Sequence, residues 1–352
     1  MPRDFKIGRY SLGPNHKPFI VAEMSGNHNQ SLERALAIVD AAAKAGAHAV
    51  KLQTYTADTM TLNIKDGPFL ISDPKSLWNG RTLYDLYEEA ATPYEWHRPI
   101  MEKCRSHGME CFSSPFDESA VDFLEELNVP CYKIASFENT DLPLIKKAAA
   151  TGKPLIISTG MASLTELNEA VSAARGAGAK DILLLKCTSS YPSSPEDSNL
   201  RTIPHLRDAF NVHVGLSDHT TGIGVSLASI ALGAIFVEKH FTLDRSHGGV
   251  DSAFSIEPSE LNALVLESER AWQGMGTIKY QASSQEEKSK QFRRTIRVKR
   301  DLESGEILRR EDLAIVRPGG GVPPSYIDLI VGKRITKSLK AGTAISMDNL
   351  LS

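Results

Sequence analysis

Short apolar runs rich in valine, isoleucine and leucine recur along the chain, and a stretch with helical periodicity follows each of them. This alternation predicts parallel strands joined by crossover helices, because strands that are buried on both faces carry nearly continuous apolar residues. Eight such units predict an α/β fold, a closed (β/α)8 TIM barrel. The predicted strands are residues 19–23, 49–52, 110–113, 131–135, 154–158, 182–186, 213–216 and 235–238.

Glycines and capping residues mark the ends of the helices between these strands. A helix commonly ends at a residue with a left-handed backbone, a conformation that glycine adopts without steric cost. Glycines stand just before five of the predicted strands, at Gly46, Gly108, Gly152, Gly178 and Gly233. Thr92 with Glu95, and Ser163 with Glu166, have the spacing of capping boxes at two helix starts. This punctuation supports the strand assignment.

A long insertion separates the second and third predicted strands. It covers about residues 56–91 and carries Trp78, Tyr84 and Tyr87. The loop that follows a barrel strand belongs to the catalytic face, where loops carry most functional variation. We therefore expect the insertion to act as a lid over the site or as an interface.

A second, smaller domain is expected after the barrel. Residues 282–290 are polar, charged and free of large apolar side chains, which predicts a linker between a barrel domain of residues 1–281 and a C-terminal domain of residues 291–352. In the C-terminal domain, the run LESG at residues 302–305 and the following apolar positions recur as LKAG at residues 339–342 and beyond. This recurrence predicts a small β-rich module with an internal repeat.

Length, charge and cysteine content exclude several classes of protein. The chain has 352 residues, which suits one barrel of roughly 250 residues and a small module. Its 40 Lys and Arg against 43 Asp and Glu give a net charge of −3 without a basic block, so nucleic acid is not an expected partner. Residues 1–13 lack the apolar stretch of a secretory signal, and no run approaches the roughly 20 apolar residues of a membrane span. Four cysteines without C-x-x-C spacing predict reduced thiols in a soluble, cytoplasmic protein.

Polar side chains collect at the carboxyl ends of the predicted strands, where barrel enzymes place their active sites. Strand ends are polar wherever a chain leaves a core, so a single serine there carries little information. Lysine and glutamate seldom point into a packed barrel, however, and the whole collection therefore predicts a ligand site. It comprises Glu23, Lys51, Gln53, Ser113, Ser114, Lys133, Ser136, Ser158, Lys186, Ser217, Asp218, His219, Glu238, Lys239 and His240.

Two of these residues suggest a metal site. His219 and His240 end neighbouring strands, so their imidazoles can converge on one divalent ion and leave positions open for substrate and water. A single histidine at a strand end is more often a hydrogen-bonded structural residue. The pairing on consecutive strands favours metal binding instead.

Three lysines at strand ends predict an anionic ligand. Lys51, Lys133 and Lys186 would face the barrel axis, where their stems find no apolar surface and their ammonium groups suit phosphate or carboxylate. Ser136 and Ser158 would add neutral donors to the same oxygens. A Schiff-base pyruvate aldolase is the alternative use of such a lysine, because desolvation among other cations makes a lysine nucleophilic.

Two carboxylates near the predicted centre could move protons. Burial would adjust the pKa of Glu23 and Glu138 toward neutrality. Glu23 could equally be a fixed ion-pair partner. A noncatalytic sugar-binding protein is a further alternative, which the combination of Lys, Glu and His disfavours because binding alone rarely needs that set.

Taken together, the rim motifs resemble those of the sialic acid synthase family, the phosphoenolpyruvate-dependent nonulosonic acid synthases. The resemblance covers essentially the whole chain. It rests on Glu23, NHN at 27–29, KLQT at 51–54, KIAS at 133–136, GLSDH at 215–219 and EKH at 238–240. It implies a C–C bond-forming transferase with a TIM barrel and a C-terminal SAF (antifreeze-like, β-clip) domain.

The resemblance also implies roles for individual residues. A divalent metal, usually Mn2+ and otherwise Mg2+ or Co2+, would be bound by His219 and His240, with the open-chain sugar aldehyde beside it. The residues implied in catalysis are Glu23, Glu138, Lys51 and Lys133. Phosphoenolpyruvate would contact the two lysines together with Ser136 and Ser158. The other implied substrate-binding residues are Gln53, Ser114, Lys186, Ser189, Tyr191, Asp251 and Arg317.

The resemblance finally implies an assembly and a branch of the family. The SAF domain would cap the barrel of a partner subunit, so that a homodimer forms and Arg317 of one chain reaches the sugar in the other. FEN at 137–139 and the insertion around Trp78 resemble the branch that makes pseudaminic acid from 2,4-diacetamido-2,4,6-trideoxy-L-altrose. Ser189 stands where N-acetylneuraminate synthases have asparagine, which argues against N-acetylmannosamine as substrate. Synthesis of N-acetylneuraminate or legionaminic acid is the alternative activity.

Overall fold

The computed structural model describes residues 2–350 and separates the chain into two compact units, Met1–Gly276 and Thr277–Ser352. The barrel lies in the first unit and the C-terminal module in the second. The predicted boundaries on either side of the linker stay predictions, and residues 1, 351 and 352 of the predicted domains lie outside the described residues. Part of the predicted linker is helical, from Ser284 to Ser289.

Eight parallel strands close into a barrel, which confirms the predicted fold. A hairpin of two antiparallel strands, β1 (Phe5–Ile7) and β2 (Tyr10–Leu12), precedes it. Strands pair in sequence order around the barrel, and the last pairs with the first. Predicted and observed strand ends differ by at most two residues. The barrel strands are β3 (Phe19–Glu23), β4 (Ala49–Thr54), β5 (Glu110–Pro115), β6 (Tyr132–Ile134), β7 (Leu155–Ser158), β8 (Ile182–Cys187), β9 (His213–Asp218) and β10 (Phe236–His240).

Amphipathic helices cover the outside of the barrel and bury their apolar faces against the strands. No helix among residues 2–350 is both long and apolar enough to cross a lipid bilayer. The helices of the first unit are α1 (Leu32–Ala45), α2 (Ala57–Met60), α3 (Leu83–Ala90), α4 (Tyr94–Ser106), α5 (Glu118–Glu126), α6 (Leu142–Ala150), α7 (Leu164–Gly176), α8 (Thr202–Phe210), α9 (Gly224–Ala231) and α10 (Pro258–Met275).

Successive residues of each strand face opposite sides of the barrel wall. One set fills the interior together with Phe5, Ile7 and Leu12 from the β1–β2 hairpin. The other set packs beneath the helices in a larger cluster. The hairpin therefore closes the amino end of the barrel, and the carboxyl end is left for a ligand. The interior set includes Phe19, Val21, Ala49, Phe112, Cys131, Ile156, Leu183, Leu185 and Phe236.

The helix termini follow the predicted signals in all but one place. The five glycines before the strands have φ between 75° and 107°, as their position required. Ser163 and Glu166 form the predicted capping box at the start of α7. The predicted box at Thr92 is wrong: Pro93 occupies the cap position of α4. The Thr92 hydroxyl lies instead 3.2 Å from Nε2 of the buried His28. The hydroxyl that would have capped the helix is therefore hydrogen-bonded to this imidazole.

The insertion between β4 and β5 folds back toward the carboxyl face of the barrel. It contains α2, α3 and a single turn at Gly67–Phe69. Leu70 and Thr82 form an isolated antiparallel bridge within it. The Trp78 indole donates to the carbonyl of Val250 at 3.0 Å, which ties the insertion to the loop after β10. Whether it serves as a lid or as an interface stays a prediction.

The second unit is a small β-rich module with its own core. It contains α11 (Ser284–Ser289), β11 (Thr295–Val298), β12 (Leu313–Val316) and α12 (Ile327–Ile330). The two copies of the sequence repeat pair with each other, because Leu302 and Leu339 exchange backbone hydrogen bonds of 2.9 and 2.8 Å. The internal repeat is therefore the pairing unit of the module. Its buried core includes Ile296, Val298, Leu302, Leu308, Leu313, Ile330, Ile335, Leu339 and Ile345.

A methyl group at Gly215 should destabilise the barrel. An added Cβ on this β9 residue would lie 2.6 Å from both the Phe236 carbonyl oxygen and Leu185 Cδ2. We expect Gly215→Ala to lower the free energy of unfolding by about 1–3 kcal/mol through overpacking. Urea denaturation measures this change. Gly176→Ala is the control, because no heavy atom outside the neighbouring backbone of α7 lies within 4 Å of the added carbon. Equal stability of the two variants would contradict the packing argument.

Candidate active site

Two acids and two lysines form a buried charge network at the centre of the barrel. Lys51 Nζ lies 2.9 Å from Glu23 Oε2 and 3.7 Å from Glu238 Oε1. Lys133 Nζ lies 3.6 Å from the same Glu238 oxygen. None of the four side chains is more than 4% exposed. They come from β4, β3, β10 and β6, so the network links strands across the barrel interior.

The two acids of this network differ in their protonation. Burial raises the pKa of Glu23 to about 7; Lys51 opposes this shift and Glu238 reinforces it. Burial acts on Glu238 in the same direction, but the ammonium groups of Lys133 and Lys51 outweigh it and hold the pKa of Glu238 below its usual value. Glu238 therefore carries the negative charge, while Glu23 can exchange a proton near neutral pH.

Buried polar atoms without partners concentrate at this end of the barrel. Within the described residues, nine buried side-chain oxygen or nitrogen atoms lack a hydrogen-bond partner. Buried polar groups are normally paired, so such a concentration indicates where a ligand binds. Six of the nine belong to residues at the barrel mouth, namely Glu23, Ser136, Glu138, Ser158, Glu238 and His240. The Glu23 atom, Oε2, is nevertheless ion-paired with Lys51 at 2.9 Å, so the other five carry the argument.

The backbone passes close to these groups at Gly160. A Cβ at this position would lie 2.1 Å from Ser189 Oγ and 2.6 Å from Ser136 Oγ, so only glycine fits. Asn139 Nδ2 holds the same turn by donating to the carbonyls of Ser158 and Gly160 at 3.3 and 3.0 Å. The turn after β7 is thereby fixed beside the unpaired hydroxyl of Ser136.

The two histidines face each other one step above the charge network. Their ring centroids are 5.3 Å apart. His219 Nδ1 lies 2.9 Å from the carbonyl of Thr188, which can accept a hydrogen bond from an Nδ1–H group and so leaves Nε2 as the free nitrogen. His240 Nδ1 is buried without a hydrogen-bond partner in the described chain, and Asp251 Oδ2 lies 3.7 Å from it. Asp251 is fixed in turn by a short hydrogen bond from Ser25.

Aromatic side chains line one side of the histidine pair. The ring centroid of Tyr191 lies 4.5 Å from that of His219, and that of Phe254 lies 4.9 Å from that of His240. Trp78 from the insertion lies 6.2 Å from Tyr191. This side of the site is therefore apolar, in contrast to the charged floor below it.

Comparison with protein families agrees with this arrangement. The NeuB family model matches residues 38–280, and the SAF domain model matches residues 293–351. The chain belongs to the NeuB family. The two matches cover seven of the eight barrel strands, β4 to β10, and the C-terminal module, and they confirm the predicted family and fold.

Curated and solved members of the NeuB family match over most of their length. Pseudaminic acid synthase of Campylobacter jejuni is 42% identical over 97% of this chain and 98% of its own. N,N'-diacetyllegionaminic acid synthase of Legionella pneumophila is 38% identical over 94% of each chain. A crystal structure of N-acetylneuraminic acid (sialic acid) synthetase from Leptospira borgpetersenii, in complex with citrate, matches with a TM-score of 0.73 and 32% identity over 82% of this chain and 95% of that chain.

Most of the site residues predicted from the sequence lie together at the barrel mouth of this NeuB family member. Gln53 donates to Glu23 Oε1 at 2.9 Å, and Lys51 donates to Ser114 Oγ at 3.3 Å. Ser189 Oγ lies 3.8 Å from the thiol of Cys187. Those brought together are Glu23, Lys51, Gln53, Ser114, Lys133, Ser136, Glu138, Ser158, Ser189, Tyr191, His219, His240 and Asp251. Their roles stay predictions.

The predicted orientation of Lys186 is wrong. Leu183 and Leu185 of β8 fill the barrel interior, so the alternation of the strand turns Lys186 away from the axis. Its ammonium group donates to the Cys187 carbonyl at 2.9 Å and to Thr188 Oγ1 at 3.3 Å. The polar character of a strand-end residue does not show which side of the barrel wall it faces; the two-residue period of the strand decides that. Arg317 is exposed in the second unit, and its predicted contact with the sugar stays a prediction.

Glu238 and Cys187 are the site residues that the sequence reasoning missed. Glu238 stands among the polar rim residues and lies between both lysines. Cys187 Sγ lies 3.9 Å from His219 Nδ1. The same alternation would have found Glu238, because it stands two residues before His240 on β10 and therefore faces the same side.

The histidine pair fits a divalent metal of the kind that the NeuB family resemblance implied. No group of three or more His, Cys, Asp or Glu residues within residues 2–350 has metal-binding geometry, so the protein would supply two imidazoles and leave the other positions to substrate and water. The unpaired His240 Nδ1 and the hydrogen bond between His219 Nδ1 and the Thr188 carbonyl suit this arrangement. Asp251 beside His240 adds a negative charge that favours a cation.

The Glu138 carboxyl should make stability depend on pH. Burial raises the pKa of Glu138 to about 7, with Lys133 opposing the shift, so the folded chain binds this proton more tightly than the unfolded chain. Its contribution is therefore fully favourable below about pH 4.5 and is lost as the pH rises through about 7. We expect Glu138→Gln to raise the melting temperature at pH 8 but not at pH 5, measured without substrate. The exposed Glu126→Gln is the control; a Glu138→Gln effect that does not change with pH would contradict the assignment.

Proposed function

We propose that this protein condenses phosphoenolpyruvate with 2,4-diacetamido-2,4,6-trideoxy-L-altrose and water, and so acts as a pseudaminic acid synthase. The observation that carries the proposal is the set of unpaired buried polar atoms beside two buried lysines and a histidine pair. The 42% identity to the Campylobacter jejuni pseudaminic acid synthase supports the choice of product.

The charged floor suits phosphoenolpyruvate, which carries a phosphate and a carboxylate. Lys51 and Lys133 would provide positive charge, and the hydroxyls of Ser136 and Ser158 would donate to the remaining oxygens. Both hydroxyls are buried and unpaired, so a ligand oxygen would satisfy them. Glu238 holds the lysines between the strands and keeps the ligand-free floor close to electrical balance.

The sugar aldehyde would bind above this floor, at the histidines. His219 and His240 would hold a divalent metal, which would polarise the aldehyde carbonyl as a Lewis acid. We propose Mn2+ as this metal, with Mg2+ or Co2+ as the alternatives. Tyr191, with its ring beside His219, would pack against the apolar parts of a deoxy sugar, and Asp251 would accept from its hydroxyl or amide groups. Gln53 and Ser189 would complete the polar contacts.

The proposed reaction balances without a redox partner. C3 of phosphoenolpyruvate forms a bond to the aldehyde carbon, and the aldehyde oxygen takes a proton. Water adds at C2, and the C–O bond to phosphate breaks, which leaves the 2-keto group of the product and inorganic phosphate. Glu23 and Glu138 would exchange these protons, since burial raises the pKa of each to about 7.

Assembly and location extend the proposal. Ile278 and Tyr280, in the segment after α10, are 93% and 99% exposed, and large apolar side chains of this kind suit burial against a partner subunit. A homodimer in which the SAF domain caps the partner barrel, with Arg317 contacting the sugar there, would use this segment. The four cysteines are free and buried, which suits the reducing cytoplasm.

The first test is release of phosphate by the purified full-length protein. We expect release only when phosphoenolpyruvate, the diacetamido sugar and a divalent metal are all present, and mass spectrometry should find the nine-carbon product. A panel with N-acetylmannosamine and the legionaminic acid precursor distinguishes the alternative synthases. Covalent trapping of pyruvate by borohydride would instead support a Schiff-base aldolase. Sugar binding without turnover would support a noncatalytic protein.

Removal of either histidine should abolish turnover without unfolding the protein. We expect His219→Ala and His240→Ala to lower kcat by about 100-fold or more, because a Lewis acid supplies several kcal/mol of stabilisation to the transition state. Both residues lie above the packed layers of the barrel, so circular dichroism should show an intact fold. His205→Ala, on the exposed face of α8, is the matched control. Full activity in either site variant would refute the metal assignment.

A further inference from the structure

The two strand ends that carry the histidines are joined on the outer side of the barrel wall. Asp218 of β9 is the register partner of Lys239 of β10. Lys239 Nζ lies 3.0 Å from Asp218 Oδ2, and neither side chain is more than 1% exposed. Because successive strand residues face opposite sides, this ion pair lies against the helices, while His219 and His240 face the axis.

Further hydrogen bonds connect this ion pair to the backbone around His219. Lys239 Nζ donates to the Thr220 carbonyl at 2.6 Å. Asp218 Oδ1 accepts from the backbone N–H and the hydroxyl of Thr220 at 2.9 and 2.7 Å. Asp218 Oδ2 accepts from Ser226 on α9 at 2.5 Å. Asp218 and Thr220, the neighbours of His219 in the chain, are therefore both bonded to Lys239, which precedes His240.

Stability alone does not account for a buried ion pair at this position. Desolvation of two charges offsets most of their attraction, and apolar residues of similar volume often replace such a pair without loss of stability. Interactions behind metal ligands have a different effect, because they fix the orientation of the ligands and change metal affinity. The Thr188 carbonyl already orients the ring of His219. The ion pair therefore restricts a different variable, the position of the His219 backbone.

We propose that Asp218 and Lys239 are positioning residues that fix the separation and angle of the two imidazoles and so set the affinity of the site for a divalent cation. Ser226 belongs to the same hydrogen-bonded cluster and supports Asp218 from α9. The inference rests on the proposed metal site, and it assigns the outward-facing partners of that site rather than its ligands.

The test replaces the ion pair with apolar residues of similar size in the full-length protein. We expect the double variant Asp218→Leu with Lys239→Met to bind Mn2+ about 10–100-fold more weakly than the unaltered protein, with little change in melting temperature. Titration of Mn2+ followed by electron paramagnetic resonance measures the affinity without any activity assay. The spectrum of the bound ion should also change, because its coordination geometry is less constrained.

Two further variants make the result decisive. Ser226→Ala removes one hydrogen bond from Asp218 and should weaken Mn2+ binding in the same direction but less; it decides the question if the double variant does not fold. Thr54→Val is the control, because Thr54 bonds His97 and Ser113 on the outer side of β4, away from the histidines. It should lower the melting temperature and leave Mn2+ affinity unchanged.

Three outcomes would overturn the inference. Unaltered Mn2+ affinity in both the double variant and Ser226→Ala would show that the ion pair does not position the histidines. An equal loss of affinity in Thr54→Val would show that any weakening of the barrel has this effect. Absence of Mn2+ binding by the unaltered protein would instead overturn the metal site itself, and this inference with it.

Discussion

The two-residue period of strands in a closed barrel is the constraint on which the site depends. One set of side chains points to the barrel axis and the other points to the helices. Because the barrel is closed, no strand has a free edge and every strand keeps this alternation. Along β10 this places Glu238 and His240 above Phe236 on the inner side, with Lys239 on the outer side. A shift of one residue would exchange these positions. The register of the strands therefore determines both which residues face the site and which residues pack against the helices.

The interior charges are arranged by the same register. Lys51, Lys133, Glu23 and Glu238 would each be costly to bury alone, but they are grouped within hydrogen-bond or ion-pair distance. Their mutual attraction does not satisfy all of their polar atoms, because Glu238 Oε2 lacks a hydrogen-bond partner among the described residues. The floor is thus held in place before any ligand arrives and still has bonding capacity for one.

The sequence was sufficient for the barrel, because each strand is a short apolar run and five of the strands follow a glycine at a helix end. It was also sufficient for the mouth residues, since strand ends converge whatever the details of the loops. It failed at Lys186, where the polar character of a strand end was taken as evidence of direction. It failed at Thr92 because the competing contact with His28 comes from a segment distant in the chain. The clustering of unpaired atoms could not be foreseen, because it depends on side-chain geometry.

The hairpin that precedes the barrel restricts the path by which ligands enter and leave the site. Phe5, Ile7 and Leu12 fill the amino end, so under the proposed function both substrates and both products would pass through the opening at the carboxyl end. Lys133 lies at the level of Glu238, two residues or about 7 Å below His240 along the strand direction. A ligand on the floor is therefore enclosed once another occupies the histidines above it. Under the proposed function, this arrangement would require the anionic substrate to arrive before the aldehyde.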